Sequence, residues 1–145
     1  MDKQLIFDTA VNGIREQGKR AIKDTKCVYR APDGCKCAVG HMIPDDKYDP
    51  RLENFTASAK EIIYSLAPEF GVEYNQESGE FLRGLQVCHD AALGSVVPSD
   101  RSVVRQIADL NFQPIERQEE LVESAFEEFA QRYGLSYERK PWKRD

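Results

Sequence analysis

Apolar residues recur at helical spacing along most of this chain, and over one short stretch the pattern changes to that of strands. Ile6, Ala10 and Ile14 share one face between Asp2 and Gln17, and Gly18 stands where a left-handed residue would close the helix. A second helix is predicted from about Thr56 to Leu66, with Ala59, Ile62, Ile63 and Leu66 inward and Pro68 and Gly71 as its stop. A third runs from about Ser78 to Leu93 on the stripe Phe81, Leu82, Leu85, Cys88 and Ala92. Ser99 or Asp100 can cap a shorter helix through Val103, Val104, Ile107 and Leu110. Pro114 suits the first turn of a last long helix, whose Leu121, Val122, Ala125, Phe126, Phe129 and Tyr133 face the core. Gly134 followed by Leu135 reads as a Schellman ending.

The strand-like stretch is Cys27-Val28-Tyr29-Arg30, returning as Cys35-Lys36-Cys37-Ala38 after Ala31-Pro32-Asp33-Gly34. Pro32 pre-sets the first turn angle, Asp33 tolerates the second, and Gly34 accepts the positive φ of a bulge. The predicted fold class is therefore α+β, mainly α: a helical domain packed around one small antiparallel β-hairpin at about residues 27–38. One globular domain is expected over residues 1–138, followed by a basic tail at 139–145.

Composition narrows the function classes. The 145 residues are 41% hydrophobic and 31% charged, a balance that supports a folded core rather than wholesale disorder. No apolar run approaches the ~20 residues that span a bilayer, and the opening residues lack the basic-then-apolar pattern of an export signal. A cytoplasmic protein without a membrane span is the expectation, and its four cysteines are then thiols or ligands rather than disulfides. A net charge of −5 and an isoelectric point near 5.2 argue against nucleic acid as partner. Residues 114–134 hold six glutamates against two arginines and read as a solvated acidic face. In a second reading that face imitates nucleic-acid charge on an inhibitor. The tail carries Arg139, Lys140, Lys143 and Arg144 around Trp142, and it reads as frayed and dispensable for folding.

Candidate chemistry concentrates in Cys27–His41. Strand parity decides what is possible there. A three-residue loop pairs Ala31 with Cys35, Tyr29 with Cys37 and Cys27 with Val39, placing the three cysteines on one face; a four-residue loop puts Cys27 on the other. Cys27, Cys35, Cys37 and His41 could then hold zinc, although their C-x7-C-x-C-x3-H spacing lacks the usual C-x2-C pairs. The alternative is burial, with Cys27 and Cys37 as small core residues and Cys35 partly exposed beside the turn. No cofactor is the favoured expectation. A catalytic thiol would need His41 or His89 as its base. Within Cys88-His89-Asp90, helical neighbours point about 100° apart, so Cys88 is expected in the core, His89 at its border and Asp90 in solvent. Asp45, Asp46 and Asp49 lack the calcium-loop pattern, and no phosphate-loop, dinucleotide, zinc-protease or serine-hydrolase motif occurs.

The string C-x-Y-R-x-P-D-G-x-x-C-A-V-G at Cys27–Gly40 recurs with I-P-D-D-x-Y-D-P at Ile43–Pro50 and L-Q-x-x-H-D at Leu85–Asp90. This combination resembles a group of small uncharacterised proteins of tailed bacteriophages and prophages. The resemblance implies a phage-type protein at work in bacterial cytoplasm and carries no activity with it. Together these observations point to a non-enzymatic accessory protein that binds a host protein, for example to inhibit a host defence or regulatory system. Candidate binding residues are Tyr29, Arg30, Asp33, His41, His89 and Asp90, with no catalytic residue assigned. The competing expectations are an enzyme or small-ligand-binding protein with a pocket near His41 and His89, and a zinc-stapled interaction domain.

Overall fold

The computed structural model describes residues 1–23, 26–90 and 113–144, and these are mainly helical with a little β structure. Helix α1 (Lys3–Gln17) begins where the Asp2 carboxylate accepts the Leu5 N–H at 3.0 Å. It ends at Gly18, whose φ of 74° lets its N–H reach the Ile14 carbonyl. Its buried stripe is wider than the sequence pattern suggests, adding Phe7 and Val11 to Ile6, Ala10 and Ile14.

The β structure is smaller than expected and begins earlier. Strands β1 (Ile22–Lys23) and β2 (Lys26–Cys27) form an antiparallel pair in which Cys27 faces Ile22, not Val39. The turn at 31–34 closes on the three-residue register: Ala31 N–H reaches Cys35 O, Cys37 N–H reaches Tyr29 O, and Arg30 bridges to Lys36. Gly34 takes φ 90° there. The ribbon stops after that bridge because Val39–Met42 winds into a 3-10 turn.

Helix α2 is one turn, Lys60–Ile63, where a helix over 56–66 was expected. Ala59 is extended at φ −72°, ψ 147° and offers no side chain to cap the helix, so winding starts only at Lys60. Beyond Ile63 the backbone tightens to three-residue hydrogen bonds, and the Ser65 hydroxyl donates to the Ile62 carbonyl at 2.5 Å. Helix α3 (Gln76–His89) starts at an Asn75 cap and ends at Asp90. Ala92, Leu93 and the predicted helix from Ser99 to Leu110 lie outside the described residues. Helix α4 (Ile115–Tyr133) closes with the expected Schellman pair, Leu135 N–H to Ala130 O and Gly134 N–H to Gln131 O.

Helices α3 and α4 pack along each other, and α1 crosses the 39–42 turn. Their seam is aromatic: Phe7 stacks on Phe129 at 5.9 Å and meets Phe126 edge-on at 6.1 Å, while Phe81 packs on Phe129 and Tyr133. Such pairs add about 0.5–1.5 kcal/mol each beyond the area they bury.

The C-terminal segment corrects the sequence reading. Trp142 is 2% exposed and belongs to the core. Its indole N–H donates to Glu123 Oε2 at 3.1 Å and its backbone N–H to Glu119 Oε1 at 2.7 Å. Lys143 N–H then reaches Arg15 O on α1. Glu123 is itself buried, so one of the six glutamates does not belong to a solvated face. Arg15 and the Tyr137 hydroxyl also donate to it, at 2.6 Å and 3.0 Å. The tail cations lie along α1 and α4: Arg144 meets Glu119, Arg139 meets Glu127, and Lys143 meets Glu16. Acidic helix and basic tail largely answer each other.

Candidate functional site

The motif residues divide into two groups, and the first is structural. Tyr29 is buried, with its N–H on Glu53 Oε1 and its hydroxyl on Phe55 O. Arg30 gives its N–H to Glu53 Oε2, and its guanidinium reaches Ile43 O and Asp45 Oδ1, both at 2.8 Å, above the Tyr48 ring. Tyr48 donates to the same Glu53 carboxylate at 2.7 Å. Burial and then Glu53 push the Tyr48 hydroxyl up to about 12. Asp33 accepts the Cys35 N–H at 3.0 Å and pairs with Lys19, holding the turn. The Y-R, I-P-D-D-x-Y and P-D-G strings thus fasten the hairpin to the following loop. Glu53, which no motif marked, is the hub of that fastening.

The second group lies between α3 and the β1–β2 ribbon. Cys27 Sγ, a ring nitrogen of His89 and an Asp90 carboxylate oxygen sit within 4.8 Å of one another. Arg20, 2% exposed, closes the same space: its Nε donates to Gln118 Oε1, and one terminal nitrogen lies 3.4 Å from His89 O and 3.7 Å from Cys27 Sγ. His89 is fully buried rather than at the border of the core. Asp90 is not in solvent; it touches His89 Nδ1 at 2.9 Å despite being its neighbour. Asp90 is the capping residue where α3 ends, and its side chain turns back onto the ring beside it.

Hydrogen bonding fixes the imidazole. Its Nε2 accepts the Ala21 N–H at 3.1 Å, so the proton sits on Nδ1 and is donated to Asp90. Burial lowers the basicity of His89 and outweighs the opposing effect of Asp90. The Cys27 thiol is pushed well above its usual range by burial and then by the Asp90 charge, against the partial relief of Arg20. In a thiol–imidazole–carboxylate relay the imidazole must stand between the other two. Here the two imidazole nitrogens are taken by the Ala21 N–H and Asp90, and burial with the Asp90 charge keeps the proton on the thiol. The cluster is not arranged as a cysteine nucleophile.

A metal ion fares no better. Binding through Nδ1 would move the ring proton to Nε2 and set it against the Ala21 N–H, donor against donor. The four residues suggested by spacing are also apart: the group with converging ligand atoms among the described residues contains Cys27 but not Cys35, Cys37 or His41. Cys37 is fully buried with the Gly40 N–H on its sulfur, and burial raises its thiol. Cys35 is 6% exposed and so buried, not partly exposed as expected. Cys88 lies in the core as expected, facing Ala125 O.

His41 lies flat against Gly13 of α1, where any Cβ would stand 2.5 Å from the ring. Burial, then Lys36 and His89, lower it to about 4, so it is neutral near pH 7, with its Nε2 buried and unpartnered. It borders a groove of about 390 Å³ that Thr9, Lys36, Asp45 and Glu69 also line.

Another face carries exposed aromatic surface. Tyr64 and Tyr74 are 68% and 54% exposed and meet edge-to-face at 6.2 Å. Tyr74 forms a wall of a second groove of about 470 Å³ along the start of α3. Neither tyrosine stood out in the sequence, since single surface aromatics carry no pattern; only their pairing in space marks them. Among the described residues no helix is long and apolar enough to cross a membrane. Comparison with protein-family models, curated proteins and solved structures returned no match.

Proposed function

We propose that this chain is a non-enzymatic binding protein, a phage-type accessory factor that docks on a host protein in the bacterial cytoplasm and thereby inhibits it. The observation that carries this reading is the exposed Tyr64–Tyr74 pair. Tyrosine is enriched at the energetic centres of protein interfaces, where it supplies a large stiff contact surface and a polar tip. Support also comes from the buried clusters, whose polar groups are largely turned on one another and arranged for holding rather than for chemistry. The phage setting rests on the resemblance of the Cys27–Gly40 and Ile43–Pro50 strings. The test is affinity capture from bacterial lysate with the chain and with a Tyr64→Ser/Tyr74→Ser variant, quantified by mass spectrometry. A host protein enriched on the first and lost on the second is the expected result. Equal capture by both, or none by either, refutes the reading.

The groove beside His41 favours a second reading, a site for a small polar ligand. A neutral imidazole beside an ammonium and two carboxylates offers mixed donors and acceptors to a compact molecule. Ligand-induced stabilisation in a metabolite screen, abolished by Lys36→Ala, would favour it over the docking face.

A further inference from the structure

The start of α3 presents one face to the groove behind Tyr74. Gln76, Gly79, Glu80 and Arg83 follow the i, i+3, i+4, i+7 spacing of a single helical stripe, and Ser58 and Asn75 complete the walls. Gly79 lets the helix lie close to Ser58; a Cβ there would be 3.1 Å from the serine's own Cβ. At the far end stands Arg83. Its Nε is buried without a hydrogen-bond partner, and no ion pair to it exists among the described residues, whereas the groove's carboxylate, Glu80, accepts from Gln76 at 3.0 Å. Arg83 lines the groove, so the rest of its guanidinium can take an acceptor arriving there.

Resting on the docking reading above, we infer that this groove is the recognition site and that it takes an acidic side chain of the partner protein. The partner's carboxylate sits on the Arg83 fork and an adjoining apolar side chain lies on the Tyr74 ring. The guanidinium is planar and matches a carboxylate with two parallel hydrogen bonds. The exposed Tyr74 ring, braced by Tyr64, offers the flat apolar surface that a peptide side chain needs. Glu80 selects among anions. One cation and one carboxylate leave the groove close to neutral, so it tolerates a single carboxylate on Arg83 better than the greater charge of a phosphate or a nucleic-acid backbone.

The experiment uses the full-length ¹⁵N-labelled chain and follows the arginine Nε–H resonances by NMR. The probes are the blocked tripeptide acetyl-Leu-Glu-Leu-amide and its glutamine counterpart, with inorganic phosphate and a single-stranded oligonucleotide as separate arms. The glutamate peptide is expected to move the Arg83 Nε–H resonance saturably, and the glutamine peptide to bind about tenfold more weakly. Arg83→Gln should abolish the response, and Arg83→Lys should weaken it by keeping the charge without the fork. The shift is read on the unsubstituted chain first, so a variant that folds poorly leaves the result intact. An Arg83 resonance that ignores the glutamate peptide, answers both peptides equally, or moves only with phosphate or oligonucleotide overturns the proposal. Tyrosine-dependent capture of a host protein together with a silent Arg83 would sink this site alone; no capture by the unsubstituted chain, or equal capture by chain and variant, would sink the docking reading itself.

Discussion

Glu123 on α4 and His89 on α3 are both cut off from water, and they are held in opposite ways. Glu123 receives donors from three directions, Arg15 on α1 and Tyr137 and Trp142 beyond α4. His89 is neutral and needs only one donor and one acceptor, Ala21 and Asp90. A buried carboxylate must be surrounded, so it gathers parts of the chain that are far apart in sequence. A buried neutral imidazole needs little and ties together only what it touches. The difference teaches where stability is concentrated: removing one donor from Glu123 disturbs three segments, while removing His89 disturbs one contact between α3 and the ribbon.

The sharpest way to break this comparison is Glu123→Ala. It strands the Arg15 charge and two aromatic donors, and unfolding in urea should show a loss of about 3–5 kcal/mol. Trp142→Ala should cost a similar 3–5 kcal/mol from the emptied core, and the two should be non-additive because they share a hydrogen bond. Additive effects would mean that the tail docks independently of Glu123. His89→Leu comes next. It leaves the Ala21 N–H without an acceptor, and the expected loss is about 1–3 kcal/mol by the same measurement.

Acid acts on both histidines with the same sign of linkage. His41 and His89 both have folded basicity below the ordinary 6.5, His41 at about 4. Between those values the unfolded chain binds protons that the folded chain refuses. Stability is therefore full above about pH 6.5 and falls as pH drops toward 4 on account of His41, by at most about 1.4 kcal/mol per pH unit, with a loss of the same sign from His89. Denaturation at pH 7, 6 and 5 should show the decline, and His41→Gln should remove part of it. A flat profile would mean that neither ring is as dry as its surroundings imply. The smallest effect belongs to Arg83→Gln. Arg83 makes no described ion pair, so its replacement should shift stability by no more than about 0.5 kcal/mol while changing ligand response.

What the sequence shows and what it hides follow from distance along the chain. The start of α1 near Asp2, the stops at Gly18 and Gly134 and the turn at Pro32–Gly34 are decided within a few residues, and they were legible. Helix α2 was overread because Ile62, Ile63 and Leu66 keep a helical spacing that the tight turns around Ser65 also satisfy. Glu123 looked like its five neighbours because its partner Arg15 is 108 residues away. Trp142 lay beyond an evident helix stop, in a basic stretch whose charges suggested solvent. The meeting of Cys27 with His89 and Asp90 depends on the ribbon turning away after one bridge, which no local signal announces.

The contacts between α1 and the last described residues also bear on how the chain finds its structure. Gln4 and Ser136 are hydrogen-bonded across 132 positions, and Arg15 meets Glu123 across 108. Loops of that length close at a large entropic cost before any reward arrives, so rates in helical proteins fall as such contacts multiply. Phe7 cannot finish its packing until the segment carrying Tyr137 has swung back across α1. The expected trajectory is an early α3–α4 pair, whose partners are near in sequence, and a late zipping of α1 beneath the tail. Helix α1 is then among the last elements to become native.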